Sequence, residues 1–418
     1  MKKVFKIFAG SAAFLTLASL LMNLNGCKPQ ESPSIYDPNW KSLPQPVVDS
    51  LSPAGSALAG LDTVAIYGKN FSPARDSDGV YFNSTLMNGA SIISASANKL
   101  LVKAPALSGD SIRIRVYVLG AVNFSSTVTY KLLAAISPFG KLLIGETANG
   151  ISAGSDTNLY VSISNPTLPG TKDEGIFRFT SDGMRFPYAL PLSLNLSWTD
   201  LKFGPSGYLY AAKGAKAVYR FSPGGGTAPQ LWAAKNVGNL SVMDFDPDHN
   251  MWAGGNNKSI YRINPDTGVA AFAFNGNVHS IRYFDGYLYF AATNVIIGGD
   301  TNVRGQVYRA PVSTGSLGTP ELYFDLSTDP SGGSTIYAIT FSADRDMYAG
   351  VDSSDYLIVV HPNGQFQRTY SLYAASGALN SPCKSFAWIG TDLYTTTASG
   401  EMIRILVRKP GAPYYGLQ

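Results

Sequence analysis

The chain has 418 residues, too many for one ordinary hydrophobic core, so a small module and a larger one are expected. Charged residues make up 14%, well under the ~25% of typical soluble proteins, while 24 Tyr and 42 Gly favour short strands and tight turns over helical bundles or disordered tails. Formal charge is +4, three of which come from Lys2, Lys3 and Lys6, and the rest of the chain has no basic run of the kind that binds nucleic acid.

Those three lysines precede an uncharged, mostly apolar run from Ile7 to Met22. A positive segment followed by a hydrophobic one is the pattern of a secretory signal, and the run falls short of the ~20 apolar residues needed to span a bilayer. Leu24-Asn25-Gly26-Cys27 follows directly and resembles the bacterial lipobox. The resemblance implies that residues 1–26 are removed and that Cys27 becomes the lipidated first residue, giving the protein the membrane as a partner. Lys28 stands where Asp would retain a lipoprotein at the inner membrane, so the expected location is the outer membrane, facing the periplasm or the outside. Residues 27–45, rich in Pro, Ser and polar side chains, read as a tether. With Cys27 acylated, Cys383 has no disulfide partner and reads as a small buried hydrophobe.

Residues 46–132 form the first globular module. Val64 and Ile66, then Ile112, Ile114 and Val116, alternate with the period of half-buried strands, and Gly55, Gly60, Gly68 and Pro105 punctuate the turns. Ser52-Pro53, Gly60, Gly68-Lys69-Asn70-Phe71, Val80-Tyr81-Phe82 and Ala104-Pro105 resemble the IPT/TIG family of immunoglobulin-like domains. That resemblance implies a spacer or docking module. Asp76 and Asp78 share a loop that reads as a solvated turn in preference to a cation site.

From 135 to 410 a four-residue phrase recurs: Ile176-Phe177-Arg178-Phe179, Val218-Tyr219-Arg220-Phe221, Ile260-Tyr261-Arg262-Ile263 and Val307-Tyr308-Arg309-Ala310. A degenerate copy stands at Leu357-Ile358-Val359-Val360 and a clear one at Met402-Ile403-Arg404-Ile405. The steps are 42, 42, 47, 50 and 45 residues, the length of a four-stranded propeller blade. Ahead of each phrase stand an apolar strand, a turn and a second strand with Tyr or Trp, as in Leu201-Lys202-Phe203 with Tyr208-Leu209-Tyr210. The pattern resembles six-bladed NHL-type and gluconolactonase-like propellers. The fold class expected is therefore all-β, an immunoglobulin-like sandwich followed by a six-bladed β-propeller, with 411–418 as a tail. A ring of arginines could bind a polyanion, but a feature repeated in nearly every blade reads first as blade geometry.

Propeller ligands bind at one end of the central channel, so a site is sought where the repeat varies. The positions leading into the inner strands are Asn149, Trp198 with Thr199, Met243, His279, Tyr337 and Lys384. Trp198, Tyr337 and His279 could stack on sugar rings, with Asn149 and Lys384 donating hydrogen bonds. Two long loops add Lys172, Asp173 and Glu174, and Asp300, Asn302 and Arg304. The expected ligand-binding set is Asn149, Trp198, His279, Tyr337, Lys384, Asp300 and Arg304.

Gluconolactonase-like propellers hold a divalent metal through Glu, Asn and Asp on inner strands. Here only Asn149 matches, with Asp200 and Asp244 one or two residues displaced, so no cofactor is assigned and calcium is left only as a weak alternative. Asp246-x-Asp248-x-Asn250 begins like a calcium loop but lacks the following Gly and the distal Glu. The chain has three His, no GxSxG nucleophile and no phosphate-cradling loop. The functional expectation is a membrane-anchored glycan-binding protein without catalytic residues. Its alternatives are a metal-assisted hydrolase or lyase and a scaffold for an envelope protein partner.

Overall fold

The computed structural model describes residues 39, 41–165, 175–190, 198–226, 229–234, 236–297, 300–303, 305–327, 329 and 335–417. The expected signal segment, Cys27 and most of the expected tether lie outside them. Among the described residues no helix is long and apolar enough to cross a membrane.

Two sheets face each other between Val47 and Leu133. One orders Val47–Ser52, Thr63–Lys69, Lys99–Lys103 and Ile92–Ser96; the other orders Ser56–Leu58, Val128–Leu133, Gly109–Val118, Asp78–Phe82 and Thr85–Asn88. The alternation read from sequence is the inward and outward alternation of these strands. Ile112, Ile114, Val116 and Val118 are buried while Arg113 and Arg115 between them face water. The core they enter includes Ile66, Phe82, Ile92, Leu100 and Leu132.

The remainder is a ring of six antiparallel blades. Blades one to five run from the inner strand outward in chain order, starting at Thr147, Asp200, Val242, Asn277 and Ile336. Blade six has Cys383–Ile389, Asp392–Thr397 and Met402–Leu406 as its first three strands. Its outer strand, Ile136–Pro138, comes from the start of the ring, with Ile136 opposite Ile405. The ring is thereby closed by backbone hydrogen bonds between its two ends. Apolar clusters fill the wedges between neighbouring blades, for example Tyr210, Met243, Phe245 and Met251 between blades two and three.

The repeated arginine lies on the third strand, away from the channel. Its cross-strand partner is Tyr160, Tyr210, Trp252, Tyr289 or Tyr394 in turn. The guanidinium heads cover aromatic rings or find local oxygens. Arg220 lies 4.3 Å from the Tyr208 ring centre, Arg309 bonds Glu321 at 2.6 Å, and Arg404 pairs with Asp392. Blade five carries Val359 opposite Tyr348 instead. Val359 is buried in the apolar cluster that joins blades five and six to Leu58 of the sandwich. The repeat loses its charge where the sandwich docks, at a position where a guanidinium would be withdrawn from water into an apolar cluster.

That docking is specific. The Tyr373 hydroxyl accepts from the Ala135 N–H at 2.8 Å and donates to the Ala59 carbonyl at 2.7 Å, and Arg408 pairs with Asp62 at 2.7 Å. In the sandwich, Asp78 departs from the expected solvated turn. It is fully buried, with one carboxylate oxygen accepting from Ser72 N–H at 3.0 Å, and burial raises its pKa to about 6.

Candidate functional site

Each inner strand is a sheet edge, so its outward N–H groups need acceptors from elsewhere. The neighbouring blade supplies them. Ser152 Oγ accepts from Phe203 N–H at 3.2 Å, and Asp200 Oδ2 from Met243 N–H at 2.9 Å. Asp244 Oδ2 accepts from Tyr283 N–H at 2.8 Å, and Ser280 Oγ from Ile339 N–H at 3.0 Å. These four bonds join the inner strands of blades one to five, and all six inner strands line a cavity of ≈ 160 Å³.

Two ion pairs stand in its wall: Lys202 Nζ bonds Asp200 at 2.9 Å, and Arg282 bonds Asp244 at 2.8 Å. Burial pushes the Asp200 carboxyl up, with Lys202 and the Met243 N–H opposing it. Both carboxylates were candidates for a divalent metal. Both do line the channel: Asp200 is engaged by Lys202 and by the Leu201 and Met243 N–H groups, and Asp244 by Arg282 and the Tyr283 N–H at Oδ2, with its Oδ1 buried and unpaired. Among the described residues no group of three or more His, Cys, Asp or Glu could hold a metal. Asp246 is likewise occupied. It accepts from the Asp248 and Asn250 N–H groups and from Trp252 Nε1 at 2.8 Å, so the calcium-like spacing is a hydrogen-bonded turn.

The C-terminal residues, expected only to be a tail, form the floor of the cavity. Arg282 donates to the Pro413 carbonyl at 2.7 Å, Ala412 N–H donates to Phe341 O at 2.9 Å, and the Tyr414 hydroxyl donates to Phe203 O. Ala412, Tyr414 and Leu417 line the space itself. Burial, with Asp244 and Asp200 nearby, pushes the Tyr414 phenol well above its usual range. The channel is thus stopped at the end where inner strands turn into second strands, and its remaining mouth is at the opposite face.

Of the expected binding residues, His279 and Lys384 line the channel, with Thr199 beside them. His279 Nε2 meets the Thr293 hydroxyl at 2.6 Å, and burial lowers its pKa, so the imidazole is neutral at neutral pH. Tyr337 packs edge-on against it with ring centres 6.5 Å apart. Burial and the Asp352 charge raise the Tyr337 phenol. Asn149 is half-buried and spends its amide on Ser164 Oγ at 3.0 Å.

Trp198 must be corrected. It is buried between blades one and two, edge-on to Tyr219 and Phe221, and has no face left for a sugar ring. Met243, also at a leading position, is core as well. Asp300 lies in a separate two-stranded hairpin, Val295–Ile297 with Asp300–Val303, while Arg304, Lys172, Asp173 and Glu174 fall outside the described residues. Lys202, Arg282 and Tyr414 were missed. The first two alternate along inner strands with the stitched residues, a period that the sequence contained. Cys383 is buried and its thiol is pushed up to about 12, far from a reactive thiolate.

Residues 46–131 match the IPT/TIG domain family. No curated protein matches the chain. Among solved structures, a candidate phosphatase from Bacteroides thetaiotaomicron aligns over 87% of this chain and 97% of its own, at 14% identity and a TM-score of 0.50. An auxiliary nutrient binding protein from the same organism aligns over 88% and 98% at 11% identity and 0.48. Virginiamycin B lyase from Staphylococcus aureus aligns over 83% and 99% at 13% identity and 0.44. At such identities the likeness is one of fold. The chain is an IPT/TIG domain followed by a six-bladed β-propeller.

Proposed function

We propose that this protein is a lipid-anchored binding protein of the bacterial cell envelope, taking a glycan at the open mouth of its propeller, with the IPT/TIG domain as spacer. The observation that carries the reading is a channel built from all six blades, floored by the C-terminal segment, with His279, Thr199 and Lys384 near one mouth. A neutral imidazole, hydroxyls and one exposed ammonium suit hydroxyl-rich ligands, for which directed hydrogen bonds matter more than net charge. The hydrolase or lyase reading is less favoured because Asp200 and Asp244 already hold Lys202 and Arg282. Calorimetric titration with a panel of soluble oligosaccharides tests the proposal. Lys384→Ala should weaken binding about tenfold, the effect of one lost hydrogen bond to a charged donor. Absence of binding to every oligosaccharide overturns the glycan assignment.

A further inference from the structure

One end of the sandwich is buried against the propeller; the other carries an apolar tip. The strand Gly109–Val118 runs from one to the other, roughly 30 Å at the rise of a β-strand. Beyond it Leu119 is 70% exposed, Val122 67% and Phe124 42%, and Leu43 beside them is 50% exposed. These residues form one patch. Leu43 bridges to Ala121, its N–H donates to the Gly120 carbonyl at 2.8 Å, and Gln45 Nε2 donates to the Phe124 carbonyl at 2.6 Å. Arg115 lies over the Phe124 ring at 5.2 Å and Lys41 is exposed close by in the chain, so cations border the apolar surface.

The chain itself says what faces this tip. It reaches the folded part at Leu43, inside the patch, and only residues 28–42 separate that point from Cys27. A stretch of that length reaches at most about 50 Å. A lipid anchor at Cys27 therefore keeps the bilayer within reach of the tip, where the chain enters the fold. The turn that bonds Leu119 adds the exposed Arg75–Asp76 pair, so the rim carries more cations than anions, and apolar side chains in such a rim suit the boundary between acyl chains and anionic headgroups.

We propose that Leu43, Leu119, Val122 and Phe124 seat on the lipid bilayer beside the anchor. The inference rests on the lipid-anchor reading of Cys27. Two contacts, the seated tip and the bonded sandwich–propeller interface through Tyr373 and Asp62, then give the propeller a set attitude to the membrane.

The test uses the full chain, processed in a bacterial host and reconstituted into vesicles of phosphatidylethanolamine and phosphatidylglycerol. Cys383 is buried, so Val122→Cys adds one accessible thiol for an environment-sensitive dye, and Leu231→Cys on the outer strand of blade two is the control. The dye at 122 should shift to the blue, and its quenching by aqueous iodide should fall several-fold, with no change at 231. Equal iodide access at both positions overturns the proposal. So does a dye at 122 already shielded without lipid, which would mean that residues 28–42 or a second copy cover the tip. Mass spectrometry of the same sample separates the two readings. If the chain proves unacylated, its Cys27 thiol is labelled as well, so the measurement is repeated in a Cys27→Ser background. There a dye at 122 that still shifts on added vesicles removes the anchor and keeps the tip, whereas an unshifted dye at 122 overturns the tip with or without acylation.

Discussion

Tyr373→Phe is the most direct probe of how the two modules are joined. The substitution keeps the ring in its apolar cluster and removes one oxygen. That oxygen serves two buried backbone groups, the Ala135 N–H and the Ala59 carbonyl, which come from the propeller's start and from the sandwich. Leaving a buried donor or acceptor unpaired costs about 1–3 kcal/mol each, so the expected loss is about 2–6 kcal/mol. Native-state hydrogen exchange reads such local openings without assuming one global transition. Ala59 N–H bonds Leu133 O at 2.9 Å and Leu406 N–H bonds Ala135 O at 2.7 Å, and both keep these acceptors in the variant. Acceleration at these two amides therefore reports a loosened interface, by about 30- to 20,000-fold at ~1.4 kcal/mol per decade. A change below about threefold would refute the reasoning, showing that water replaces the hydroxyl or that the modules are not held there.

Val359→Arg restores the repeated arginine in the blade that lacks it, and should destabilise the protein by several kcal/mol because the site is buried against the sandwich. Its counterpart Arg178→Val, whose guanidinium lies over Phe186 at 5.0 Å and is only half-buried, should cost about 1 kcal/mol or less. Denaturant titration of both variants checks the asymmetry, and equal costs would contradict the structural reading of the repeat. For Asp78, burial raises the folded-state pKa to about 6 from 3.8, so the folded protein holds this proton more tightly than the unfolded chain. Its contribution to stability is therefore present below about pH 4, declines between about 4 and 6, and is lost above. Asp78→Asn should lack that decline, so the stability difference between variant and wild type should change across this window; a pH-independent difference would argue against a buried carboxylate.

Where a local rule acts at every repeat, the sequence was enough. Six spaced copies of one phrase gave six blades, and strict alternation in Ile112–Val118 gave a half-buried strand. Trp198 shows the limit of such patterning. It precedes a strand like the other leading residues, yet its ring turns into the wedge between blades, where Tyr219 and Phe221 meet it. Whether a leading residue faces the channel or a neighbour depends on blade packing, which no local pattern encodes. His279 and Lys384, at leading positions that vary where the scaffold repeats, do line the channel.

By itself the sequence determined the two modules, the blade count and the position of the varied residues, because these follow from periodicity along the chain. Only the tertiary structure decided the rest. Ile136–Pro138 is too short to announce itself and becomes a strand only by pairing with Met402–Leu406. Residues 411–417 have no pattern of their own and gain a place because Arg282, Phe203 and Phe341 offer partners to their backbone and to Tyr414. Contacts between distant segments cannot be read from either segment alone, and here those contacts close the ring and make its channel a pocket.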